Sequence, residues 1–194
     1  MKKPQSLPPD YFERMYAADP DPWGFETRPY EREKYAATLA ALPQRRYGRA
    51  LEIGCSIGVL TKRLEAHCDH LLAVDVNERA LAKARERCAD LPHVHFERRF
   101  LPEEFPDGTF DLILVSEVGY YWAGDDFERA HELIWERLAP GGTLLLVHWT
   151  PHVDDYPLTG DEVHEAFLAQ VGRRWQHRMG QRHDTYRLDV LKRV

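Results

Sequence analysis

The sequence predicts an α/β fold built around a doubly wound, mostly parallel sheet. From residue 49 onwards, strand-like and helix-like segments alternate, which is typical of strand–helix–strand units. The segment 109–116 (TFDLILVS) is apolar on both faces and so suits the middle of a parallel sheet. Two further strand-like segments, 175–182 and 185–192, are joined so tightly that they can pair only in the antiparallel sense.

The individual elements follow from ordinary start and stop signals. A short helix is expected to begin at Pro8-Pro9-Asp10, because proline fits the first turn, and residues 19–24 form a loop rich in proline and glycine. A second helix over 28–42 is stopped by Pro43. The remaining predicted strands are 49–54, 70–75, 94–97 and 143–148. The remaining predicted helices are 58–67, 125–138, 159–171 and a helix that Asn77 caps. Pro140-Gly141-Gly142 is expected to form a turn.

The bulk composition is that of one globular domain. The chain has 194 residues, 43% of them hydrophobic, which is enough for a single core. Acids and bases are mixed along it and the net charge is −6, which argues against charge-driven binding to nucleic acid. No segment approaches the ~18 consecutive apolar residues of a membrane span, and the three widely spaced cysteines suggest reduced thiols. We therefore expect a soluble, bacterial-type cytoplasmic protein.

The candidate site residues follow the predicted strands at their carboxyl ends, where open α/β sheets bind ligands. This rule selects the loop 54–58, Asp75, Ser116 with Glu117, and His148. Asp111 lies near the start of its strand, at the opposite edge of the sheet. We therefore expect Asp111 to be structural.

The loop Gly54-Cys55-Ser56-Ile57-Gly58 is one glycine short of the dinucleotide pattern Gly-x-Gly-x-x-Gly. Glu52 would repel a pyrophosphate bound near this loop, which is unfavourable. The same carboxylate would attract a ligand that carries an ammonium group. S-adenosylmethionine is such a ligand, and Asp75 could accept both of its ribose hydroxyls. The alternative for Asp75 is a cap on the helix that begins near Asn77.

The motifs Glu52-x-Gly54-x-x-x-Gly58, Asp75, Phe110-Asp111-Leu112 and Leu138-x-Pro140-Gly141-Gly142 resemble those of class I S-adenosylmethionine-dependent methyltransferases. DPWGFETRPYEREKYAATLAALP before the loop, the Gly-Cys-x-x-Gly form of the loop, and SEVGYYW after the fourth strand are similar to the nodulation protein S-like family. The resemblance implies a Rossmann-like, seven-stranded sheet, mostly parallel with the last strand antiparallel. It also implies that S-adenosylmethionine is the cofactor, S-adenosylhomocysteine the product, and residues 98–101 a neighbour of the adenine. The expected cofactor-binding residues are Glu52, Gly54, Cys55, Ser56, Gly58, Asp75, Val76, Phe100, Leu101, Ser116, Tyr30 and Arg28.

Four residues are the catalytic candidates. Glu117 could bind an amine acceptor or take its proton, and Tyr120 and Tyr121 could stack on a ring or orient the nucleophile; the alternatives are a helix cap and two core aromatics. His148 could act as a general base, or be a buried histidine bonded to the backbone. His148 and His152 have the spacing of helical metal ligands, but Pro151 disfavours a helix, so no metal site is expected.

Residues 1–44 are expected to form a helical cap or lid on a Rossmann-like domain over 45–194. Within this cap, Trp23, Arg28, Tyr30 and Lys34 could reach the cofactor, with a solvated helix face as the alternative for Lys34. The predicted function is transfer of a methyl group to a small-molecule amine or hydroxyl, with an amino sugar or oligosaccharide among the candidate acceptors, by a monomer or homodimer. A non-catalytic cofactor-binding subunit and a nicotinamide-dependent oxidoreductase are the alternatives.

Overall fold

The computed structural model describes residues 5–194, which form a seven-stranded sheet flanked by helices. The order of the strands is β3-β2-β1-β4-β5-β7-β6. Strands β1 to β5 pair in parallel, and β7 lies antiparallel between β5 and β6. The predicted sheet with its antiparallel last strand is therefore confirmed. The strands are β1 Tyr47–Ile53, β2 Cys68–Asp75, β3 Val94–Arg98, β4 Phe110–Ser116, β5 Leu138–Trp149, β6 Trp175–Arg182 and β7 Tyr186–Arg193.

The elements lie close to their predicted positions, but two helices and one strand differ clearly in extent. The predicted helix 58–67 is a four-residue α-helix followed by a 3₁₀ turn, Glu65–His67, and the predicted helix 159–171 already ends at Leu168. Strand β5 begins at Leu138, so the predicted turn 140–142 lies inside the strand as an irregularity in its pairing with β4. The helices are α1 Pro9–Ala18, α2 Pro29–Ala40, α3 Thr61–Leu64, α4 Glu78–Arg87, α5 Gly124–Arg137 and α6 Gly160–Leu168.

The core lies on both faces of the sheet, because side chains alternate along each strand. Leu51 and Ile113 face a cluster that includes residues of α5 and α6. Ala50 and Leu112, their neighbours in sequence, face a second cluster that includes Tyr35 of α2. Burial on both faces explains why the central strands are continuous apolar runs.

The amino-terminal edge of the sheet is held by Asp111, as predicted. Its carboxylate accepts hydrogen bonds from the backbone N–H groups of Gly48 and Arg49, at 2.7 and 2.9 Å. The three cysteines are free and buried. Within residues 5–194, no helix combines the length and apolar character needed to cross a bilayer.

Candidate active site

A cavity of about 520 Å³ lies at the carboxyl ends of β1, β2, β4 and β5. The sheet forms its floor, and residues from the N-terminal segment and α2 form the opposite wall. The position agrees with the rule that selected the candidate residues. The predicted residues that line the cavity are Trp23, Arg28, Tyr30, Lys34, Gly54, Ser56, Asp75, Val76, Phe100, Leu101, Ser116, Glu117, Tyr120 and Tyr121.

Gly54 lies where the turn after β1 approaches the end of β4. Its φ is +83°, and a Cβ at this position would lie 2.1 Å from a methyl carbon of Val118 and 3.1 Å from the carbonyl oxygen of Ser116. A side chain therefore cannot be accommodated without displacing the β4 end, and only glycine takes this backbone conformation readily. Gly54 thus gives the turn its shape beside the cavity.

Gly58 and Cys55, both in the predicted cofactor set, lie away from the main cavity. A Cβ on Gly58 would lie 2.9 Å from the backbone of Ala84, so this glycine allows α4 to pack closely. Cys55 is buried in a cluster with Ala73 and Leu81. Neither residue lines the main cavity. Gly58 therefore serves packing behind the turn, and Cys55 borders a small cavity there.

Asp75 presents its carboxylate to the cavity from the end of β2. One oxygen accepts a hydrogen bond from the N–H of Ser56, and the other accepts one from the N–H of Asn77, both at 2.9 Å. The cap of α4 is Asn77, whose side chain accepts from the N–H of Ala80 at 3.0 Å. Burial raises the pKa of Asp75, while the backbone donors oppose that shift. Asp75 is thus a fixed acceptor beside the glycine turn.

Glu52 lies behind the turn and does not line the main cavity. It borders a small cavity of about 30 Å³, which shares Gly54, Ser56, Ser116 and Glu117 with the main one. Its Oε2 has no hydrogen-bond partner among the described residues. Burial raises the pKa of Glu52 to about 7. The small cavity has room for one water molecule, so contact with a ligand could run through solvent.

Glu117 is held at the wall of the cavity by three donors. Oε1 accepts from Nζ of Lys34 at 2.6 Å, and Oε2 accepts from the hydroxyl of Tyr120 at 2.6 Å and from the N–H of Trp149 at 2.8 Å. The backbone of Glu117 has a φ of +59°, which is strained for a residue with a side chain. The surrounding bonds therefore define one orientation of its carboxylate.

Lys34 lies inside the protein, so the alternative of a solvated helix face is wrong for this residue. It is 2% exposed, and its Nζ contacts both Glu117 and Glu31. Burial alone would lower its pKa, but the carboxylates of Glu117 and Glu31 outweigh that effect and raise it. The wall of the cavity therefore carries a charged lysine between two acids.

Tyr120 and Tyr121 belong to an aromatic group that both lines the cavity and packs internally. Tyr120 stacks on Tyr156 with 4.8 Å between ring centroids, and Tyr121 meets the edge of Phe12 at 4.9 Å. Both tyrosines also line the cavity, so they pack as core aromatics and are within reach of a ligand there. Sequence analysis missed Tyr156, which lies in a loop without periodicity.

The structure does not support His148 as a general base. The side chain has no exposed surface and does not line the cavity. Its Nε2 accepts the N–H of Gly119 at 3.0 Å, so the lone pair needed for proton transfer is already in use. The alternative of a buried histidine bonded to the backbone describes it better. His164 is also fully buried, and its Nε2 lies 3.0 Å from Nδ1 of His148.

The N-terminal segment crosses the cavity and is tied to its rim. The hydroxyl of Tyr16 in α1 is hydrogen-bonded to the hydroxyl of Ser56, and the N–H of Leu7 donates to the carbonyl of Tyr121 at 2.9 Å. Glu13 accepts from Asn77 at 3.0 Å. Phe12 and Tyr16 were missed, although their i, i+4 spacing on one helix face could have indicated a packed surface.

Metal ligands do not cluster in the part of the chain that the structure describes. No group of three or more histidine, cysteine or acidic side chains within residues 5–194 is arranged to hold an ion. The residues around the cavity are instead suited to a ligand with polar and apolar parts. Carboxylates lie near the turn, and aromatic side chains form most of the remaining wall.

The strand order and the glycine turn beside a fixed carboxylate place the protein in the class of Rossmann-like α/β proteins with the methyltransferase fold. A sequence profile of the Nodulation protein S family matches residues 8–149, and the chain belongs to this family. Nodulation protein S of Rhizobium tropici is 36% identical over 135 residues, which cover 68% of this chain and 56% of that protein. The chain thus matches little more than half the length of that relative. The family predicted from the sequence motifs is confirmed.

One solved structure and one further relative are also methyltransferases by name. The crystal structure of the N-methyltransferase NodS from Bradyrhizobium japonicum WM9 in complex with S-adenosyl-L-homocysteine is 25% identical, with a TM-score of 0.80. The match covers 95% of this chain and 97% of that one. Trans-aconitate 2-methyltransferase of Deinococcus radiodurans is 30% identical over 141 residues, or 73% of this chain and 50% of that protein. The name of the first relative states methylation at nitrogen, and the name of the second gives trans-aconitate as the compound methylated.

Proposed function

We propose that the protein is an S-adenosylmethionine-dependent methyltransferase that acts on a small-molecule amine or hydroxyl. The observation that carries this proposal is the Asp75 carboxylate, fixed by the N–H groups of Ser56 and Asn77 beside the glycine turn. Each of its oxygens uses one acceptor site on the backbone and keeps another for a ligand hydroxyl. Such a carboxylate fits a ribose diol. A phosphate at the same place would meet its negative charge.

The residues present fit the rest of the cofactor. Val76, Phe100 and Leu101 follow β2 and β3 and offer apolar surface for the adenine. On the other side of the turn, Glu52 borders the small cavity and could accept a hydrogen bond from the ammonium group of the methionyl part through water. When bound, the cofactor supplies an electrophilic methyl group on a sulfonium ion.

Glu117 is placed to orient the methyl acceptor. A carboxylate offers about four acceptor sites, and Lys34, Tyr120 and Trp149 occupy three of those of Glu117. One site remains for an N–H or O–H group of an acceptor in the cavity. Because positioning alone can supply an effective molarity of ~10⁵–10⁸ M, a fixed hydrogen bond of this kind is a sufficient role for Glu117.

The N-terminal segment is proposed to act as a lid over the cofactor. Its contacts with Ser56 and Tyr121 tie it to two parts of the cavity lining. When closed, it would exclude water from the reacting groups. The aromatic side chains of Phe12, Tyr16 and Trp23 would form the inner surface of this lid.

Titration calorimetry with S-adenosylhomocysteine and with NAD tests the cofactor. We expect S-adenosylhomocysteine to bind and NAD not to bind; the reverse result would favour an oxidoreductase and reject the proposal. Transfer of a labelled methyl group to a panel of amines, amino sugars and phenols then tests the reaction. Cofactor binding without transfer to any member of that panel would favour a non-catalytic subunit.

A further inference from the structure

Three buried side chains connect the active-site turn to the far side of β7. The N–H of Gly119 donates to Nε2 of His148 at 3.0 Å. Nδ1 of His148 lies 3.0 Å from Nε2 of His164, and Nδ1 of His164 lies 2.6 Å from a carboxylate oxygen of Asp189. All three side chains are at most 1% exposed. The chain of hydrogen bonds is therefore shielded from solvent along its whole length.

The two ends of this chain determine the direction of every hydrogen bond in it. A backbone N–H can only donate, so Nε2 of His148 must be unprotonated. Because an imidazole keeps at least one proton, Nδ1 of His148 is then protonated and donates to Nε2 of His164. The proton of His164 therefore lies on its Nδ1, which donates to the carboxylate of Asp189. Both imidazoles are consequently neutral and protonated at Nδ1. A proton added to Nε2 of His148 would face the N–H of Gly119.

The charged groups around the chain agree with two neutral imidazoles. Burial, then His164 and Lys34, lowers the pKa of His148, and burial also lowers that of His164 despite the Asp189 carboxylate. At the outer end, Asp189 also accepts from Arg187 at 2.8 Å and contacts His177 at 2.6 Å. The carboxylate is thereby held in one orientation, from which it fixes His164.

The inner end of the chain meets the residues assigned to the methyl acceptor. Gly119 lies between Glu117 and Tyr120, and Tyr120 donates to Glu117. A Cβ on Gly119 would lie 2.9 Å from Nε2 of His148 and 2.6 Å from a methyl carbon of Val163. The turn 117–121 is therefore seated directly on the imidazole of His148.

We propose that His148, His164 and Asp189 are positioning residues that hold the turn 117–121 in the form that orients the methyl acceptor. This inference rests on the proposed function, because it assigns a role to residues behind the same site. None of the three touches the cavity. Their effect is transmitted through Gly119 to Glu117 and Tyr120. Loss of this chain of hydrogen bonds is expected to lower turnover and to leave cofactor binding intact.

The test compares two substitutions of buried histidines. His164→Leu removes the acceptor for Nδ1–H of His148. His131→Leu is the matched control, because His131 is 6% exposed and lies outside this chain of hydrogen bonds. Its pKa is lowered by burial to about 4, so the control also removes a neutral imidazole. His164→Gln restores an acceptor at the same place and should recover part of the lost turnover.

The first measurement is the ¹⁵N NMR spectrum of the histidine side chains of the wild-type protein. We expect His148 and His164 to be neutral and protonated at Nδ1 between about pH 6 and pH 8. The opposite tautomer or a charged imidazole at either position would overturn the proposal. In His164→Leu we expect the amide of Gly119 to exchange with solvent at least tenfold faster, while His131→Leu leaves its rate unchanged.

The second measurement is methyl transfer with the best acceptor of the panel. His164→Leu should lower kcat at least tenfold, with the dissociation constant of S-adenosylhomocysteine within twofold of wild type. Equal turnover in His164→Leu and His131→Leu would overturn the positioning role. If the wild-type protein binds S-adenosylhomocysteine but transfers no methyl group, the proposed function fails. The amide exchange of Gly119 then decides the structural link alone, and an unchanged rate in His164→Leu would overturn it.

Discussion

Replacing Glu52 with glutamine should change the way in which stability depends on pH. Glu52 is 1% exposed, and burial raises its pKa from 4.5 to about 7. The folded protein therefore binds this proton more tightly than the unfolded chain does. The resulting contribution to stability is fully present below about pH 4.5 and is lost as the pH rises through about 7.

The size of this effect follows from the difference between the two pKa values. Each pKa unit corresponds to roughly 1.4 kcal/mol at 25 °C, so the full change is about 3 kcal/mol, of which most falls between about pH 5 and pH 8. Glutamine is nearly isosteric and cannot ionise. The free energy of unfolding of Glu52→Gln, relative to wild type, should therefore rise by about 2 to 3 kcal/mol across this interval.

Urea unfolding followed by tryptophan fluorescence, at several values between about pH 5 and pH 8, measures this difference. Other groups that titrate contribute equally to both proteins and cancel in the comparison. The exposed Glu128 provides the control, since Glu128→Gln removes a carboxylate that is not buried. A difference between Glu52→Gln and wild type that stays constant with pH would refute the reasoning about burial.

Three further substitutions test the site directly. Asp75→Ala should weaken binding of S-adenosylhomocysteine by about 1–3 kcal/mol in calorimetry, because ribose hydroxyls lose their acceptor; unchanged affinity would remove Asp75 from the site. Gly54→Ala should lower the urea midpoint of unfolding far more than Gly172→Ala. Both glycines have φ near +85°, but only Gly54 lacks space for a Cβ. Equal effects would show that the positive φ alone determines the loss of stability. Glu117→Gln should lower turnover roughly 10²-fold with little change in cofactor affinity, and equal losses in both would indicate a structural role.

Much of the fold could be predicted, because the strands buried on both faces are short apolar runs with clear boundaries. Asp75 was found by one rule, that ligands lie at the carboxyl ends of parallel strands. Asp111 was excluded from the site by the same rule and instead holds the opposite edge. In these cases a local pattern and a topological rule are sufficient.

The parts that could not be predicted depend on contacts between distant segments. Nothing local to His164 shows that Asp189, 25 residues later, will accept a hydrogen bond from its Nδ1–H in a buried pair. Lys34 has the sequence surroundings of a surface residue, yet it is paired with Glu117, 83 residues away. Helical periodicity identifies a face that is buried, but it does not identify the partner on the other side.

The position of β7 in the sheet has a consequence for the order in which the protein can fold. Strand β6 precedes β7 in the chain, but it joins the sheet only by pairing with β7. The edge at β5 therefore stays open until β7 pairs with it, and pairing between strands separated by a helix and another strand is slow. Because β7 also carries Asp189, the same late step that closes the sheet supplies the buried carboxylate behind the turn 117–121. A nascent chain would thus contain the cofactor turn well before it contains a complete site for the acceptor.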